Sequence, residues 1–279
     1  MNFPELLEKT AERNGSIVCF GIDPVIEKMP LQQKDAEKKI ANFYSEILTA
    51  VAENIAAVKP NYAFFAQYGF PGLRALETII AAAKKKKLPV ILDAKRGDIG
   101  KSSEAYSKEV FEAWKADAVT VSPYMGSDSV APFTQWCSKG RGVYVLVRTS
   151  NPGAKDLQQL QLKNGKEVFM EAAAKVVEWH KPGVGAVVGA TNIFELKKIL
   201  ELFAGTGKKI PLLIPGVVAQ GGNAADVAAL LRRTAGSLKI NRISSSSGIS
   251  YAYEDFGGDY AEAAAKAVKE LNSEVGSLT

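Results

Sequence analysis

The chain has little of the chemistry that several common enzyme and binding classes require. Its 279 residues include one histidine, His180, and two cysteines, Cys19 and Cys137. A Ser-His-Asp or Cys-His mechanism would have to use His180, which follows a helical pattern and is expected at a helix end. The two cysteines lie outside any CxxC or Cys/His pattern, which argues against a disulfide framework or a structural zinc site. We therefore expect reduced thiols, as in cytoplasmic proteins, and no metal.

Long apolar runs and leader-like features are also missing. No apolar run approaches the roughly 18 residues needed to span a bilayer. The first five residues do not form a basic segment followed by an apolar one. The net charge of +5 is modest and its basic residues are spread along the chain, unlike those of a nucleic-acid-binding protein, although such an excess helps to attract an anionic substrate. We expect no membrane and no nucleic-acid partner.

What the sequence does have is an alternation of short apolar runs with amphipathic stretches. The predicted strands are residues 16–22, 56–62, 89–93, 118–122, 143–148, 185–189, 211–215 and 238–244. Most of these runs are continuously apolar, as a strand buried on both faces requires. Eight strands with intervening helices predict an α/β fold, a (β/α)₈ TIM barrel that forms a single domain over residues 1–279. The alternative is a doubly wound sheet, but no GxGxxG follows the first strand.

Helices are predicted between the strands, most clearly at residues 31–54 and 260–271. Capping side chains are expected at the start of three others: Ser102 or Ser103 after the third strand, Asn192 with Glu195 after the sixth, and Asn223 after the seventh.

Polar residues gather where the predicted strands end. Lys59 lies in the second strand, and the third runs into Asp93, Lys95 and Asp98. The other strand ends carry Asp23, Ser122, 148–151, Thr191, 215–216 and 244–247. Because barrel active sites lie at the carboxyl ends of the strands, these residues are predicted to line one mouth of the barrel.

The spacing of Asp93, Lys95 and Asp98 is the most informative of these patterns. Asp93 and Lys95 point to the same face of a strand, and Lys59 adds a second cation from the neighbouring strand. A row of alternating charges offsets the cost of burial, and carboxylates beside Lys95 favour its ammonium form. An ammonium donates a proton and is not a nucleophile. The spacing alone arises by chance in roughly one chain in twenty, and a surface salt-bridge cluster is the alternative interpretation.

A glycine-rich segment, residues 215–223, leads from the seventh strand into a helix. Glycines allow close approach of a ligand to the backbone, and barrels often bind phosphate in the loops after strands seven and eight. The serine run 244–247 after the eighth strand adds hydroxyl and amide donors. The pattern predicts a phosphate site, with a plain turn as the alternative.

The segment 93–100, Asp-Ala-Lys-Arg-Gly-Asp-Ile-Gly, closely resembles the D-x-K-x-x-D-I signature of the orotidine 5′-phosphate decarboxylase family. Segments 20–24, 59–61, 148–153 and 215–222 are similar to the longer bacterial branch of that family and occur in the same order. Several motifs in the right order are more specific than one triad, and together they extend along nearly the whole chain.

The resemblance implies cofactor-free decarboxylation of orotidine 5′-monophosphate (OMP) to uridine 5′-monophosphate (UMP) in pyrimidine biosynthesis. Lys95 would protonate C6 after CO₂ has left, Asp93 would face the substrate carboxylate, and Lys59 would join the charged network near the ribose. Asp98 would reach into the neighbouring subunit's site, which makes the active unit a homodimer.

The resemblance also implies substrate contacts. Asp23 would hold a ribose hydroxyl, Ser150 would contact the pyrimidine, and Gln220 would lie near pyrimidine and phosphate. Further contacts are expected from Ser122, Pro215, Gly221, Ser247 and Gly248.

One position departs from the family pattern. The family usually has an Arg-Gly pair after the eighth strand, whose arginine clamps the phosphate, whereas this chain has Ser247 and Gly248. Either the alignment slips locally, or Arg242 substitutes, or hydroxyls and amides hold the phosphate, with weaker hydrogen bonds than an arginine would supply.

Three other functions are compatible with parts of the pattern. A Mg²⁺-dependent lyase of the same barrel group would share the Asp-x-Lys-x-x-Asp row, but Lys59 would repel its metal. A Schiff-base aldolase would use Lys95 as a nucleophile. A non-catalytic nucleotide-binding module would have to retain two buried lysines, which are costly to bury.

Overall fold

The computed structural model describes residues 1–217, 221–234 and 238–278, and within them eight parallel strands form a barrel. The strands are β1 Val18–Ile22, β2 Ala57–Pro60, β3 Ile91–Arg96, β4 Ala118–Val121, β5 Gly142–Arg148, β6 Val184–Val188, β7 Leu212–Pro215 and β8 Arg242–Ser245. Their order is β2-β1-β8-β7-β6-β5-β4-β3. Parallel bridges from Val58 to Val90 and from Asn61 to Asp93 join β2 to β3 and close the barrel. The predicted (β/α)₈ fold is therefore confirmed.

Helices surround the strands and close one end. The α-helices are α1 Phe3–Asn14, α2 Ala36–Val51, α3 Tyr62–Ala66, α4 Gly69–Lys85, α5 Gly100–Lys108, α6 Ser127–Thr134, α7 Val168–Glu178, α8 Ile193–Ala204, α9 Ala224–Thr234, α10 Ser247–Ser250, α11 Tyr253–Phe256 and α12 Tyr260–Val275. A π-helical turn, Glu109–Ala113, extends α5, and 3₁₀ turns occur at Ile26–Lys28, Gln135–Lys139 and Pro152–Asp156. Among the described helices, none is long and apolar enough to cross a membrane.

The barrel interior is built in layers that follow from the two-residue repeat of a strand. One layer is an apolar cluster of Cys19, Ala57, Ile91, Ala118, Tyr144, Val187 and Leu213. Helix α1 adds Phe3 and Leu7 to it. Two residues further along β2, β3 and β4 come Lys59, Asp93 and Thr120. The polar layer therefore lies directly above an apolar floor.

Strand positions agree with the predictions except at some ends. The third strand continues to Arg96 instead of ending at Asp93, because the Arg96 guanidinium pairs with Glu109 at 2.7 Å and its carbonyl accepts a hydrogen bond from the Ser122 N–H. The eighth strand begins at Arg242, four residues later than predicted.

Helix ends also differ from the predictions. The helix predicted at 31–54 is shorter, since Asp35 caps it by accepting from the Lys38 N–H. The predicted serine cap after β3 is wrong: α5 begins at Gly100, and the Ser103 hydroxyl donates to the Ser129 carbonyl. The helix α1 before the first strand was not predicted.

Two predicted caps are present. Asn223 accepts a hydrogen bond from the Asp226 N–H at 3.0 Å. Asn192 accepts from the N–H groups of Phe194 and Glu195. The Glu195 carboxylate does not complete a capping box, because it pairs with Arg148 at 2.6 Å.

The apolar floor generates a stability prediction. Phe3 is fully buried, with its ring 5.8 Å from that of Tyr144 in an edge-to-face contact. We expect Phe3→Ala to lower the free energy of unfolding by about 3 kcal/mol, through lost burial and the cavity left behind. Phe70→Ala is the matched control, because Phe70 is 77% exposed and its removal should cost less than about 0.5 kcal/mol. Urea titration measures both, and equal losses would contradict the assigned floor.

Candidate active site

A cavity of about 640 Å³ opens at the carboxyl ends of the strands. Loops after β1, β5, β7 and β8 form its walls, and the inward-facing residues of β2, β3 and β4 form its base. Its polar lining includes Asp23, Lys28, Asn61, Thr149, Ser150 and Ser247. The cavity lies where the polar strand ends were predicted to meet.

At its base the carboxylate of Asp93 is held by three donors. Lys59 Nζ lies 3.1 Å from Asp93 Oδ2, and Lys95 Nζ lies 2.7 Å from Oδ1. The Thr120 hydroxyl donates to Oδ1 at 2.8 Å. The structure thus brings together Lys59, Asp93 and Lys95, as the sequence predicted.

The two lysines differ in exposure. Lys59 and Asp93 are 6% and 8% exposed, whereas the side chain of Lys95 is half exposed. The expectation that both lysines are buried is therefore wrong for Lys95. Its amine reaches into the cavity, accessible both to a ligand and to solvent.

Charge pairing has more effect than burial on the pKa values of Lys59 and Asp93. Burial alone raises the pKa of the Asp93 carboxyl, but the Lys59 and Lys95 ammonium groups outweigh it and hold that pKa well below its ordinary value. Burial alone lowers the pKa of Lys59, but Asp93, and then Asp23, raise it above its ordinary value. Both groups of the pair therefore stay charged near neutral pH.

Lys95 adopts an unusual backbone conformation. Its φ is +44°, in the left-handed region, and β3 is irregular between Leu92 and Arg96 where it pairs with β4. The Thr120 hydroxyl accepts a hydrogen bond from the Lys95 N–H at 2.9 Å. A non-glycine residue pays a cost for this conformation, and such strain tends to occur at functional sites. The contact with Asp93 thus depends on a bulge and not on simple strand alternation.

Thr120 is a site residue that the sequence reasoning missed. It bridges the backbone of Lys95 and the side chain of Asp93. A signal was present, because Thr120 is the one polar residue in the strand Ala-Val-Thr-Val.

Asp98 and Ser122 are predicted site residues that lie outside the cavity lining. Asp98 is partly buried, and its carboxylate accepts a hydrogen bond from the Ile99 N–H at 2.8 Å. Ser122 lines a neighbouring groove with Tyr124 and Leu157. Within one copy of the chain neither residue joins the Asp93 cluster.

Asp23 and Ser150 both line the cavity. Among the described residues, Asp23 Oδ1 is buried without a hydrogen-bond partner. Ser150 comes so close to β6 that a Cβ at Gly189 would lie 2.9 Å from its Cβ. Glycine at position 189 therefore allows the loop after β5 to reach the cavity.

The loops after β7 and β8 form the remaining wall. Pro215, Gly216 and Ser247 line the cavity, and Gly216 has a φ of +94° that favours glycine. Gly221 and Gly248 are not among the lining residues. Gln220 lies outside the described residues.

Arg242 cannot act as a phosphate clamp. As the first residue of β8 it lies at the opposite end of the barrel from the cavity, fully buried, and its guanidinium donates to the carbonyls of Leu7, Lys239 and Asn241. Of the alternatives left open by the sequence, substitution by Arg242 is therefore excluded. Among the described residues, no group of three His, Cys, Asp or Glu side chains is arranged to hold a metal ion.

A parallel eight-stranded barrel with a charged cluster and a cavity at the carboxyl ends of its strands is the architecture of the TIM-barrel enzymes. Residues 17–255 match the family described as "Orotidine 5'-phosphate decarboxylase / HUMPS family". The chain belongs to the orotidine 5′-phosphate decarboxylase family.

Individual relatives cover almost the full length of the chain. A protein of Verminephrobacter eiseniae named orotidine 5′-phosphate decarboxylase is 40% identical over an alignment of 271 residues, which covers 95% of this chain and 94% of that protein. One from Variovorax paradoxus with the same name is 42% identical over an alignment of 276 residues, which covers 96% of each chain. The solved structure of Leishmania donovani OMP decarboxylase superposes with a TM-score of 0.80 at 32% identity and covers 99% of each chain.

The buried pair predicts a specific pH dependence of stability. The pKa of Asp93 is lowered on folding, so its ionised carboxylate adds to the free energy of unfolding at pH values above the ordinary pKa of about 4. As the pH falls below that value, this stabilisation is lost by up to about 1.4 kcal/mol per pH unit. Lys59→Met removes the main cation that lowers this pKa, so its free energy of unfolding should fall less between pH 5 and pH 3 than that of the wild type. Urea titration across this range measures both slopes.

Lys209→Met is the control, because Lys209 pairs with Glu8 on the surface, away from the cavity. Its slope should equal that of the wild type. A wild-type slope in Lys59→Met would contradict the coupling of Lys59 to Asp93.

Proposed function

We propose that this chain, acting as one catalytic domain over residues 1–279, decarboxylates OMP to UMP without a metal or organic cofactor, and that Lys95 protonates the C6 carbanion. The observation that carries this proposal is the buried Asp93 carboxylate held between two ammonium groups at the base of the cavity. The family membership supplies the substrate and the reaction.

The reaction needs a group that stabilises the negative charge on C6 and a proton that converts C6 to a C–H carbon. When the bond from C6 to the carboxylate breaks, its electron pair stays on C6 and CO₂ leaves. The Lys95 ammonium stabilises that charge and gives a proton to C6, which makes the C–H bond of the product. The resulting neutral amine regains a proton from solvent, which its half-exposed side chain can reach.

The neighbours of Lys95 hold its side chain and backbone in place. Asp93 accepts a hydrogen bond from its amine, Thr120 accepts one from its backbone N–H, and Lys59 binds the second oxygen of Asp93. These charges are fixed before substrate arrives, so they stabilise developing charge without reorganising. A substrate carboxylate placed beside Asp93 would also be disfavoured by like charge, and that repulsion is relieved when CO₂ departs.

The walls of the cavity suit the rest of the nucleotide. Among the described residues, the buried Asp23 Oδ1 has no hydrogen-bond partner, so it can accept a hydrogen bond from a ribose hydroxyl. Ser150 faces the space for the pyrimidine, with Gln220 assigned to pyrimidine and phosphate. Pro215, Gly221, Ser247 and Gly248, in the loops after β7 and β8, are assigned to the phosphate end, and Ser122 is assigned as a further substrate contact.

The active unit we infer is a homodimer in which Asp98 completes the partner's site. Asp98 lies between Ile99, which is 58% exposed, and Gly97, where a Cβ would come within 3.5 Å of the Met125 side chain; Met125 and its neighbour Tyr124 are 42% and 86% exposed. Apolar groups this exposed and this close together are typical of an interface. Cys19 and Cys137 are buried free thiols, which fits a cytoplasmic location.

The assay that tests the reaction is the loss of OMP absorbance with chelator-treated protein. We expect wild-type turnover with or without chelator, and loss of at least about a thousandfold in Lys95→Ala, because both the proton donor and the nearest positive charge are removed. Lys269→Ala is the control, since Lys269 is exposed on α12, and should keep full activity.

Circular dichroism should show that Lys95→Ala still folds. Near-normal turnover in that folded variant would remove Lys95 from its role. Turnover that needs added Mg²⁺ would favour the metal-dependent lyases, borohydride trapping on Lys95 would favour a Schiff base, and UMP binding without turnover would favour a binding module.

A shared site predicts complementation between two inactive variants. A dimer of one Asp98→Ala chain and one Lys95→Ala chain has one site with both residues intact. A randomly reassociated equal mixture should therefore recover about a quarter of the wild-type activity. If verified mixed dimers stay inactive, Asp98 does not act across the interface.

A further inference from the structure

The phosphate end of the cavity lacks an arginine. Three cations line the cavity in the described part of the chain, Lys28, Lys59 and Lys95, and the undescribed segment 218–220 is Val-Ala-Gln. Arg242 lies at the other end of the barrel. A phosphate dianion in this cavity would therefore meet only lysines.

Two of these lysines, Lys59 and Lys95, already form ion pairs with Asp93. Lys28 is different, because it lies at the end of the 3₁₀ turn after β1, and its Nζ pairs with Glu254 at 3.0 Å. Both side chains are nearly half exposed, 46% for Lys28 and 44% for Glu254. An exposed ion pair of this kind is worth little, so its cation can change partner at low cost.

Lys28 also lies on the correct side of the cavity. Strand β1 neighbours β8, so the loop after β1 lies beside the segment that begins at Ser246 and Ser247. Lys28 Nζ lies 5.2 Å from the ring centroid of Tyr251, which follows Ser246 and Ser247 in the segment after β8. Lys28, Tyr251 and both serines line the same cavity.

We propose that Lys28 is the phosphate-binding cation of this site and that it exchanges Glu254 for the phosphate group of the nucleotide. This inference rests on the proposed function. Hydroxyl and amide donors at Ser246 and Ser247 share the phosphate, while Lys28 supplies the positive charge that they lack. Glu254 holds the amine in place while the site is empty and competes with the ligand for it.

The rival interpretation is purely structural. The loop after β1 is fastened to the segment after β8 by several contacts, since the Tyr251 hydroxyl accepts from the Val25 N–H and donates to the Asp23 carbonyl. The Lys28–Glu254 ion pair would then be one more structural contact between the loop after β1 and the segment after β8. The two interpretations make opposite predictions for replacement of Glu254. If Lys28 binds the phosphate, the replacement frees its amine for the ligand. If the ion pair only joins two loops, the replacement removes a structural contact.

The experiment compares dissociation constants for UMP and for uridine, which lacks the phosphate, by calorimetric titration and by NMR titration at millimolar ligand. Lys28→Met should weaken UMP binding about tenfold or more, since a charge-assisted hydrogen bond is lost, and leave uridine binding unchanged. Lys28→Arg should retain UMP binding. Glu254→Gln should bind UMP as tightly as the wild type or more tightly.

Lys209→Met is the matched control, since it breaks an ion pair of the same 3.0 Å length with Glu8 and removes the same charge; its UMP binding should equal that of the wild type. Weakening of UMP and uridine alike in Lys28→Met, no change in UMP binding, or weaker UMP binding in Glu254→Gln would overturn the proposal. Turnover of OMP by the wild type distinguishes failure of this proposal from failure of the proposed function. If turnover is present and Lys28→Met binds UMP normally, the role of Lys28 is wrong while the decarboxylase function stands.

Discussion

A carboxylate can remain ionised inside a barrel only if its charge is balanced where it lies, and the contacts of Asp93 meet that requirement. Lys59 takes one oxygen, while Lys95 and Thr120 share the other. The bulged end of β3 and the left-handed backbone of Lys95 have their explanation here, because they bring an ammonium onto a carboxylate only two residues away. The same contacts leave the Lys95 amine at the cavity surface, where proton transfer to a ligand is possible.

The apolar floor below this cluster makes the arrangement possible. Helix α1 covers the amino-terminal end of the barrel, and Phe3 and Leu7 complete a layer of side chains that excludes water from below. Burial of this kind strengthens each charge interaction above it. The apolar layer and the charged cluster thus occupy successive layers of the same strands, and the buried guanidinium of Arg242 lies at the amino-terminal end, where backbone carbonyls accept its hydrogen bonds.

Much of the fold and part of the site could be predicted from the sequence. Strands buried on both faces leave continuous apolar runs, and polar residues at their carboxyl ends indicate one mouth. The backbone of Lys95 could not be predicted, because it depends on an irregular pairing of β3 with β4. Thr120 was missed although its hydroxyl is the one polar side chain of an apolar strand. Arg242 was a candidate clamp because it lies a few residues before Ser247 and Gly248, within the predicted strand. As the first residue of β8 it lies at the end of the barrel away from the mouth. The proposed role of Asp98 requires a second copy of the chain, whose placement one sequence does not give.

The most direct test of the central interaction is the protonation of Asp93 itself, followed by NMR with ¹³C-labelled aspartate and assigned by comparison with Asp93→Asn. If two ammonium groups hold the carboxylate as described, its signal should show no protonation step near the ordinary value of about pH 4 while the protein stays folded. A signal that titrates at that ordinary pH in the folded protein would mean that the lysines do not balance the charge of Asp93, and would contradict the account.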